Sequence, residues 1–253
     1  MIPALPELAV LGPTIVGVAV LAAVTTGVLW AFRVPRWNEA PIAILRGAVQ
    51  LALISVILTG VISHPAWIAV ALAAMFLIAS AVATRRSGWS WPMFAAMSTS
   101  ILAGVIVAAA GIFLTGALEL TSRYALALGA IVIGNAMSIA TLTGRRFTSG
   151  LVDHWDEVEG WLAVGATPRQ ATIERARLAV RDALIPSIDQ TKTTGLVVLP
   201  GAFVGAIFGG LSPWEAGRFQ IVVLAGILAA GAVTATLVVT WLGDVRTRPV
   251  VPA

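Results

Sequence analysis

The sequence predicts an all-α polytopic membrane protein with about seven transmembrane helices and one cytoplasmic, amphipathic helix-turn-helix. Hydrophobic residues make up 58% of the 253 residues and charged residues only 11%, whereas soluble domains carry about 25% charged residues. Apolar runs close to the ~20 residues that cross a bilayer recur along the chain. Because backbone amides in lipid must be hydrogen-bonded within the protein, these runs are predicted to be helices.

The apolar runs define seven predicted spans and a single permease domain over residues 1–253. The spans cover residues 9–32, 42–62, 66–84, 93–114, 125–143, 193–211 and 219–242. Basic residues concentrate in alternate connections, namely at Arg33, Arg36, Arg85, Arg86, from Arg145 to Arg181, and at Arg246 and Arg248. Since an excess of Lys and Arg marks the cytoplasmic side, the N-terminus is expected outside and the C-terminus inside the cell (inner) membrane.

One long polar interruption, residues 144–182, is named the elbow here. Its first part has apolar residues at helical spacing, which predicts an amphipathic helix; they are Leu151, Trp155, Val158 and Leu162. Gly165 is placed to end this helix. Thr167 as N-cap, Pro168 at the first helical position and Gln170 three residues after the cap then predict a second helix that begins with a capping box.

The charge of the elbow is balanced, with six basic and six acidic residues. This balance disfavours a patch that binds anionic lipid or nucleic acid. It favours a solvated face or a protein partner, although an amphipathic element lying on the bilayer is an alternative.

Three polar residues within or next to the predicted spans are costly in lipid. Asn135 lies near the middle of its span, where it either bonds to another helix or lines a polar pathway. Asp189 and Lys192 share a helix face and can form an ion pair. They precede the apolar run at 193–211, near the cytoplasmic leaflet, and are either an interfacial pair or part of the transport path.

The sixth predicted span contains a proline and regularly spaced glycines. Pro200 is expected to kink or break the helix. Gly201, Gly205 and Gly209 repeat every four residues, and such a ridge permits close packing of another helix.

Several classes of function are disfavoured by what the sequence lacks. Cysteine is absent, which excludes disulfides and thiolate metal sites, and no GxxxxGK[ST] sequence for binding ATP occurs. No nucleophile–base pair is visible in the spans, so the chain is not expected to be an enzyme or to hold a cofactor; whether it binds a metal is left unknown.

The elbow resembles the EAA-type coupling loop of ABC-transporter permeases. The likeness rests on Glu159 with Gly165 six residues later, followed by Ala-Thr and Gln170, although the EAA triplet is here Glu159-Gly160-Trp161. In those permeases a short cytoplasmic helix inserts into a groove of the ATP-binding subunit. The resemblance therefore implies a coupling role for Glu159, Gly165, Thr167, Pro168 and Gln170.

From the second to the seventh span the chain resembles the FetB-type permease family, the membrane subunits of proposed iron-export ABC transporters. The residues that carry it are Arg46–Leu51, Gly134–Met137, Gly165–Ala171, Ala183–Asp189, Lys192-Thr193, Gly195–Val197, Leu199–Gly201, Gly205, Gly210, Pro213, Ala216 and Gln220-Ile221. In this family two methionines often follow the Leu-Pro-Gly sequence, and this chain has Ala202 and Phe203 instead. Any contact that those methionines make to a soft metal is missing here.

The resemblance implies a permease subunit that exports a metal ion such as iron, or a small solute. It implies a homodimer in the lipid bilayer with a separate ATP-binding subunit and no nucleic acid. The expected transport path or gate comprises Asn135, Met137, Asp189, Lys192 and Pro200. The alternative function is a secondary transporter or channel driven by a gradient.

Overall fold

A computed structural model describes residues 5–61 and 65–249, and these residues form an all-α structure. The helices are α1 Leu5–Ala31, α2 Glu39–Val61, α3 Pro65–Ser87, α4 Trp91–Leu114, α5 Ser122–Asp153, α6 Trp155–Ala163, α7 Pro168–Thr193, α8 Gly201–Phe208 and α9 Pro213–Leu242. The predicted fold class is confirmed in its helical character. Five helices are long and apolar enough to cross a membrane, namely residues 12–31 of α1, and α3, α4, α5 and α9.

The chain divides into two compact units, Met1–Ser63 and His64–Ala253. In the first unit α1 and α2 pack against each other, and α2 covers 23 residues over most of the predicted second span. Arg33 and Arg36, in the connection between the two helices, have positive φ angles of 54° and 59°. The expectation of a single permease domain over the whole chain stays a prediction.

In the second unit α9 is the central helix, and α4 packs against it at a point where only glycine fits. A methyl group at Gly104 would lie 2.5 Å from the carbonyl oxygen of Ala230 and would also overlap the hydroxyl of Thr234. Thr234 donates its hydroxyl proton to the carbonyl oxygen of Ser100 at 3.2 Å, which links the two helices. Nearer the start of α9, Ile112 of α4 contacts Gly226, so the two helices run antiparallel.

The helix α5 runs parallel to α3, and it continues further than its predicted span. The guanidinium of Arg145, two turns before the end of α5, donates at 3.3 Å to the carbonyl oxygen of Arg86 at the end of α3. Towards the other end, Leu72 of α3 lies against Gly129 of α5. The predicted span ended at residue 143, but α5 continues to Asp153 because the buried residues Phe147 and Leu151 extend its packed face.

The predicted span over residues 193–211 is not a continuous helix, and the break expected at Pro200 is confirmed. The helix α7 ends at Thr193, a turn follows, and the eight-residue α8 begins at Gly201. The amide groups of Leu196, Val197 and Val198 all donate to the carbonyl oxygen of Thr193 in this turn. Gly195 has a φ of 86°, and Pro200 is the N-cap of α8 with an extended backbone, so both residues oppose a continuous helix.

Together, α7, the turn and α8 run back along α5 and α9. One end of α7 is bonded to the end of α9, where the hydroxyl of Thr172 donates to the carbonyl oxygen of Gly243 at 3.2 Å. Further along, Leu184 contacts Gly231 of α9, and finally Phe203 of α8 lies 4.0 Å from the position of a Cβ at Gly217. The broken segment therefore follows α9 from its C-terminal end towards its N-terminal end.

We predict that Gly104→Ala destabilises the second unit by about 1–3 kcal/mol, because the added methyl group overpacks the contact between α4 and α9. Gly111→Ala is the matched control, since it lies on the same helix with nothing within 4 Å of its Cβ position. Thermal unfolding of the two purified variants in the same detergent measures the difference. Equal melting temperatures would show that α4 and α9 are not in close contact at Gly104.

Candidate coupling site and transport path

The corner between α6 and α7 is built by backbone hydrogen bonds that the sequence specifies. The amide of Gly165 donates to the carbonyl oxygen of Leu162, and that of Ala166 to the carbonyl oxygen of Trp161, both at 3.0 Å. These two bonds form a Schellman motif, in which the residue after the C-cap adopts a left-handed conformation. Gly165 has a φ of 91°, and its predicted role as helix terminator is confirmed.

The helix α7 begins with the predicted capping box. The hydroxyl oxygen of Thr167 accepts from the amide of Gln170 at 3.4 Å, and the side-chain oxygen of Gln170 accepts from the amide of Thr167 at 2.9 Å. Pro168 occupies the first helical turn, where its missing amide proton costs nothing. The cap and the Schellman motif follow each other directly, so the corner has little freedom to unwind.

The predicted amphipathic helix at the start of the elbow is divided. Leu151 belongs to α5, and α6 begins only at Trp155, because His154 between them has a non-helical backbone with φ −126° and ψ 36°. The carboxylate of Glu157 bonds to the guanidinium of Arg175 at 3.0 Å and joins α6 to α7. Val158 is buried in this junction.

A groove of about 490 Å³ lies between α6 and α7 at the corner. It is lined by Glu157, Trp161, Val164, Gly165, Ala166, Gln170, Ala171, Ile173, Glu174 and Arg175. Trp161 is 55% exposed and Val164 is 78% exposed. The groove is thus lined by exposed apolar and charged side chains, and Glu159 lies exposed on the same helix as Trp161.

The elbow is joined to α5 and α9 by a buried cluster and two hydrogen bonds. The cluster contains Phe147, Leu151, Val158, Ala171, Ala176, Ala179 and Val239. In addition to the bond between Thr172 and Gly243, the guanidinium of Arg248 donates to the carbonyl oxygen of Val152 at 3.0 Å. Arg248 thereby satisfies a carbonyl at the C-terminal end of α5, where a cation is favoured.

Four candidate residues of the transport path lie on α5 and α7, and the fifth, Pro200, lies at the start of α8. Asp189 and Lys192 form the expected ion pair, with 3.5 Å between the carboxylate oxygen and Nζ, and their side chains are 60% and 70% exposed. Asn135 donates to the carbonyl oxygen of Ile131 on its own helix at 2.8 Å. Met137 is half-buried beside a cluster of α3, α4, α5 and α9. Pro200 is buried at the start of α8.

The glycine ridge is not packed against another helix of the described chain. Nothing lies within 4 Å of a Cβ position at Gly201 or Gly205, and Gly209 is approached only by carbonyl oxygens of α8. The close helix contacts lie instead at Gly104, Gly129, Gly226 and Gly231. The role of the ridge in helix packing stays a prediction.

Sequence reasoning missed the C-terminal segment that contacts the elbow. Arg248 was counted only as a marker of membrane orientation, and Thr172 was not singled out. Their contacts join segments 96 and 71 residues apart in the chain, and a helical pattern within the elbow contains no signal for such pairs. Within the described residues, no group of three or more His, Cys, Asp or Glu side chains could hold a metal ion.

The model of an uncharacterised protein family, UPF0014, matches residues 14–245. The chain is 35% identical to the UPF0014 membrane protein STAR2 of Oryza sativa subsp. japonica, over 87% of this chain and 79% of that protein. It is 32% identical to Protein ALUMINUM SENSITIVE 3 of Arabidopsis thaliana, over 81% and 76%. It is 29% identical to the Probable iron export permease protein FetB of Escherichia coli (strain K12), over 78% and 76%. No solved structure matches the chain.

We predict that Gly165→Ala loosens the corner at a cost of about 1–2 kcal/mol, because an L-residue is disfavoured at a φ of 91°. Amide hydrogen exchange over residues 155–170 should accelerate. Gly160→Ala is the control: this glycine lies inside α6 with nothing within 4 Å, so alanine there should leave exchange unchanged or slow it. Similar exchange in both variants would contradict the Schellman geometry.

Proposed function

Because the chain belongs to the UPF0014 family, we propose that it is the membrane-spanning permease subunit of an ABC transporter. A separate ATP-binding subunit docks on the elbow and supplies the free energy of ATP hydrolysis. The observation that carries this proposal is the rigid corner at Gly165–Thr167, with an apolar groove beside it. Such a surface is suited to binding a protein partner whose conformational changes move the corner in each cycle of ATP hydrolysis.

The chemistry of the corner fits a protein interface. Trp161 and Val164 expose apolar surface, and tryptophan is enriched among residues that dominate binding energy. The carboxylates of Glu157 and Glu174 and the guanidinium of Arg175 line the same groove. An apolar centre with a charged rim is the usual arrangement of a specific protein–protein interface.

The elbow has a direct mechanical connection to the membrane. After its cap at Thr167, α7 runs for 26 residues to Thr193 and contains Pro186, which removes one helical hydrogen bond. Its Ala183 is fully buried against Ile139 of α5 and Ala235 of α9. A movement of the corner therefore passes along α7 and can bend it at Pro186, next to the Asp189–Lys192 pair.

In this proposal the chain crosses the membrane seven times. The crossings are the five apolar helices, α2, and a composite crossing made of the last part of α7, the turn and α8. In the second unit the elbow, Arg85 and Arg86 lie on one side of the membrane, since Arg145 bonds to the carbonyl of Arg86. With Lys and Arg on the cytoplasmic side, the elbow and the C-terminus are cytoplasmic and the N-terminus is outside.

The assembly we propose contains two copies of this chain and two ATP-binding subunits in the cell membrane. The open faces of Gly201 and Gly205 support close contact between the copies. A metal ion such as iron, or a small solute, is exported, by analogy with the relative named a probable iron export permease. The path follows Asn135, Met137, Asp189, Lys192 and Pro200.

We predict that Trp161→Ala and Glu159→Ala weaken the binding of the ATP-binding subunit, the tryptophan variant by about thirtyfold, the loss typical of a central aromatic contact. Co-purification and ATP-driven transport in proteoliposomes are the measurements. Glu119→Ala is the control, an exposed carboxylate in the connection between α4 and α5, on the side opposite the elbow. Wild-type yield and transport in both elbow variants would refute docking at this corner.

We predict that a cysteine substituted for Ser212 reacts with an impermeant thiol reagent added outside the cell, whereas one substituted for Ser149 reacts only after the membrane is permeabilised. The chain contains no cysteine, so each single substitution reports on one site. The reverse labelling pattern would invert the proposed orientation.

The alternative is a gradient-driven transporter or channel, and the Asp189–Lys192 pair is the observation that favours it, since such carriers place ionisable groups within their spans. The two mechanisms differ in what stops transport. Proteoliposomes that contain the permease alone should be inactive if ATP hydrolysis drives export. Transport by the permease alone, abolished by an ionophore, would establish the alternative.

A further inference from the structure

The contacts of α7 place the Asp189–Lys192 pair near the middle of the bilayer, deeper than the interfacial position expected from the sequence. Arg175 lies 4.0 Å from the Cβ position of Gly150, and further along both helices Leu184 and Ile139 meet at Gly231. The helices α5 and α7 thus run antiparallel side by side. Extrapolation by five more residues along each helix, past Pro186 in α7, sets Asp189 at the level of Gly134.

The depth of Gly134 follows from the charges that bound its span. Arg123 lies eleven residues before it and Arg145 eleven residues after it. At 1.5 Å per residue this is about 16 Å to either boundary, or half of the ~30 Å hydrocarbon core. By the same pairing Lys192 lies opposite Ile131, about 21 Å from the level of Arg145. A lysine side chain is too short to reach the elbow side from there.

The ion pair points away from the helices that pack α7 into the protein. Ala183 and Ser187 are buried, at 1% and 8% exposure, on the packed side of α7. Asp189 and Lys192 are largely exposed on the other side. Because charged side chains at mid-membrane face a wet cavity or a partner rather than lipid, this side of α7 borders a polar space.

The polar groups at this depth mostly offer hydrogen-bond acceptors. The hydroxyl protons of Thr191, Thr193 and Thr194 are donated to carbonyl oxygens of α7, at 2.8, 2.9 and 2.7 Å. The amide of Asn135, on the face of α5 shared with Ile139, is likewise donated within its own helix. Each of these groups keeps oxygen lone pairs for another partner. The cation beside them is Lys192, which is already paired with Asp189.

We propose that Asp189 is a mid-membrane station for a cationic substrate and that Lys192 is a built-in cation which the substrate displaces. This inference rests on the proposed transport function and deepens it. With no substrate present, Lys192 neutralises the carboxylate of Asp189, because an unpaired charge in the bilayer is costly. A substrate cation binds Asp189 and the surrounding oxygens, and the ammonium of Lys192 swings aside.

The binding test uses the full-length permease without its ATP-binding subunit, in nanodiscs of phosphatidylcholine, with Mn²⁺ as the probe and its free concentration followed by electron paramagnetic resonance. Lys192→Met should tighten Mn²⁺ binding about tenfold, and Asp189→Asn should weaken it about tenfold, since a single neighbouring charge alters cation affinity by this amount or more. The controls are Arg177→Met and Glu174→Gln. They alter an ion pair of the same spacing on α7, at 2.7 Å, outside the bilayer, and should have no effect.

Weaker or unchanged Mn²⁺ binding in Lys192→Met would overturn the proposal. Loss of inorganic phosphate binding in that variant would assign the site to anions instead, which also overturns it. Because Mn²⁺ binding needs no ATP, loss of ATP-driven transport with the expected binding pattern contradicts the proposed function and leaves this site standing.

The depth of the pair is tested separately with a fluorescent label. Asp189→Cys, labelled in the cysteine-free chain, should be quenched more strongly by lipids that carry a nitroxide near the end of the acyl chain than by lipids that carry it at the headgroup. Asp153→Cys, at the end of α5, is the reference outside the core. A label at residue 189 with the same depth as the reference would overturn the proposal even if the binding variants cannot be purified.

Discussion

The structure depends on one constraint, that polar groups within a bilayer must find partners inside the protein. The constraint forces the apolar runs into helices, because only a helix satisfies its own backbone. It also makes every departure from a helix informative. The turn between α7 and α8 is such a departure, and non-helical backbone at this depth is tolerated only where protein or water covers it. The exposed charge pair beside that turn requires the same cover.

Most helices could be predicted from hydrophobicity, and the corner could be predicted in detail. Thr167, Pro168 and Gln170 form a cap whose partners lie three residues apart, so the sequence contains the whole interaction. The break before α8 was predicted from Pro200, but its start at Thr193 was not, because Gly195, with its φ of 86°, lies within an apolar run. The continuation of α5 to Asp153 could not be predicted from its polar sequence, since it depends on burial of Phe147 and Leu151 against distant segments.

The candidate site shows the same division between local and distant contacts. The Asp189–Lys192 pair was predicted because its residues are one helical turn apart. The mid-bilayer depth that we propose for it could not be predicted, because depth depends on how α7 pairs with α5, and that pairing rests on contacts such as that between Gly150 and Arg175. Asn135 was expected either to bond to another helix or to line a polar pathway; its amide donates to Ile131 on its own helix, and both roles stay predictions. The carbonyl oxygen of Ile131, four residues earlier, is within reach, and hydropathy does not indicate which acceptor a side-chain amide bonds to.

The arrangement of rigid and broken segments indicates where movement can occur. From the cap at Thr167 to Thr193 the backbone of α7 is helical, and its first half is held to α9 through Thr172 and Gly243. Pro186 lies inside this helix and has no amide proton, so the carbonyl of Asp182 lacks its helical hydrogen bond and α7 can bend there. A second place that can yield is the turn at 194–200, where three amides share the carbonyl of Thr193. Asp189 and Lys192 lie in the last turns before that point, so a displacement of the elbow would alter their surroundings before it reaches α8.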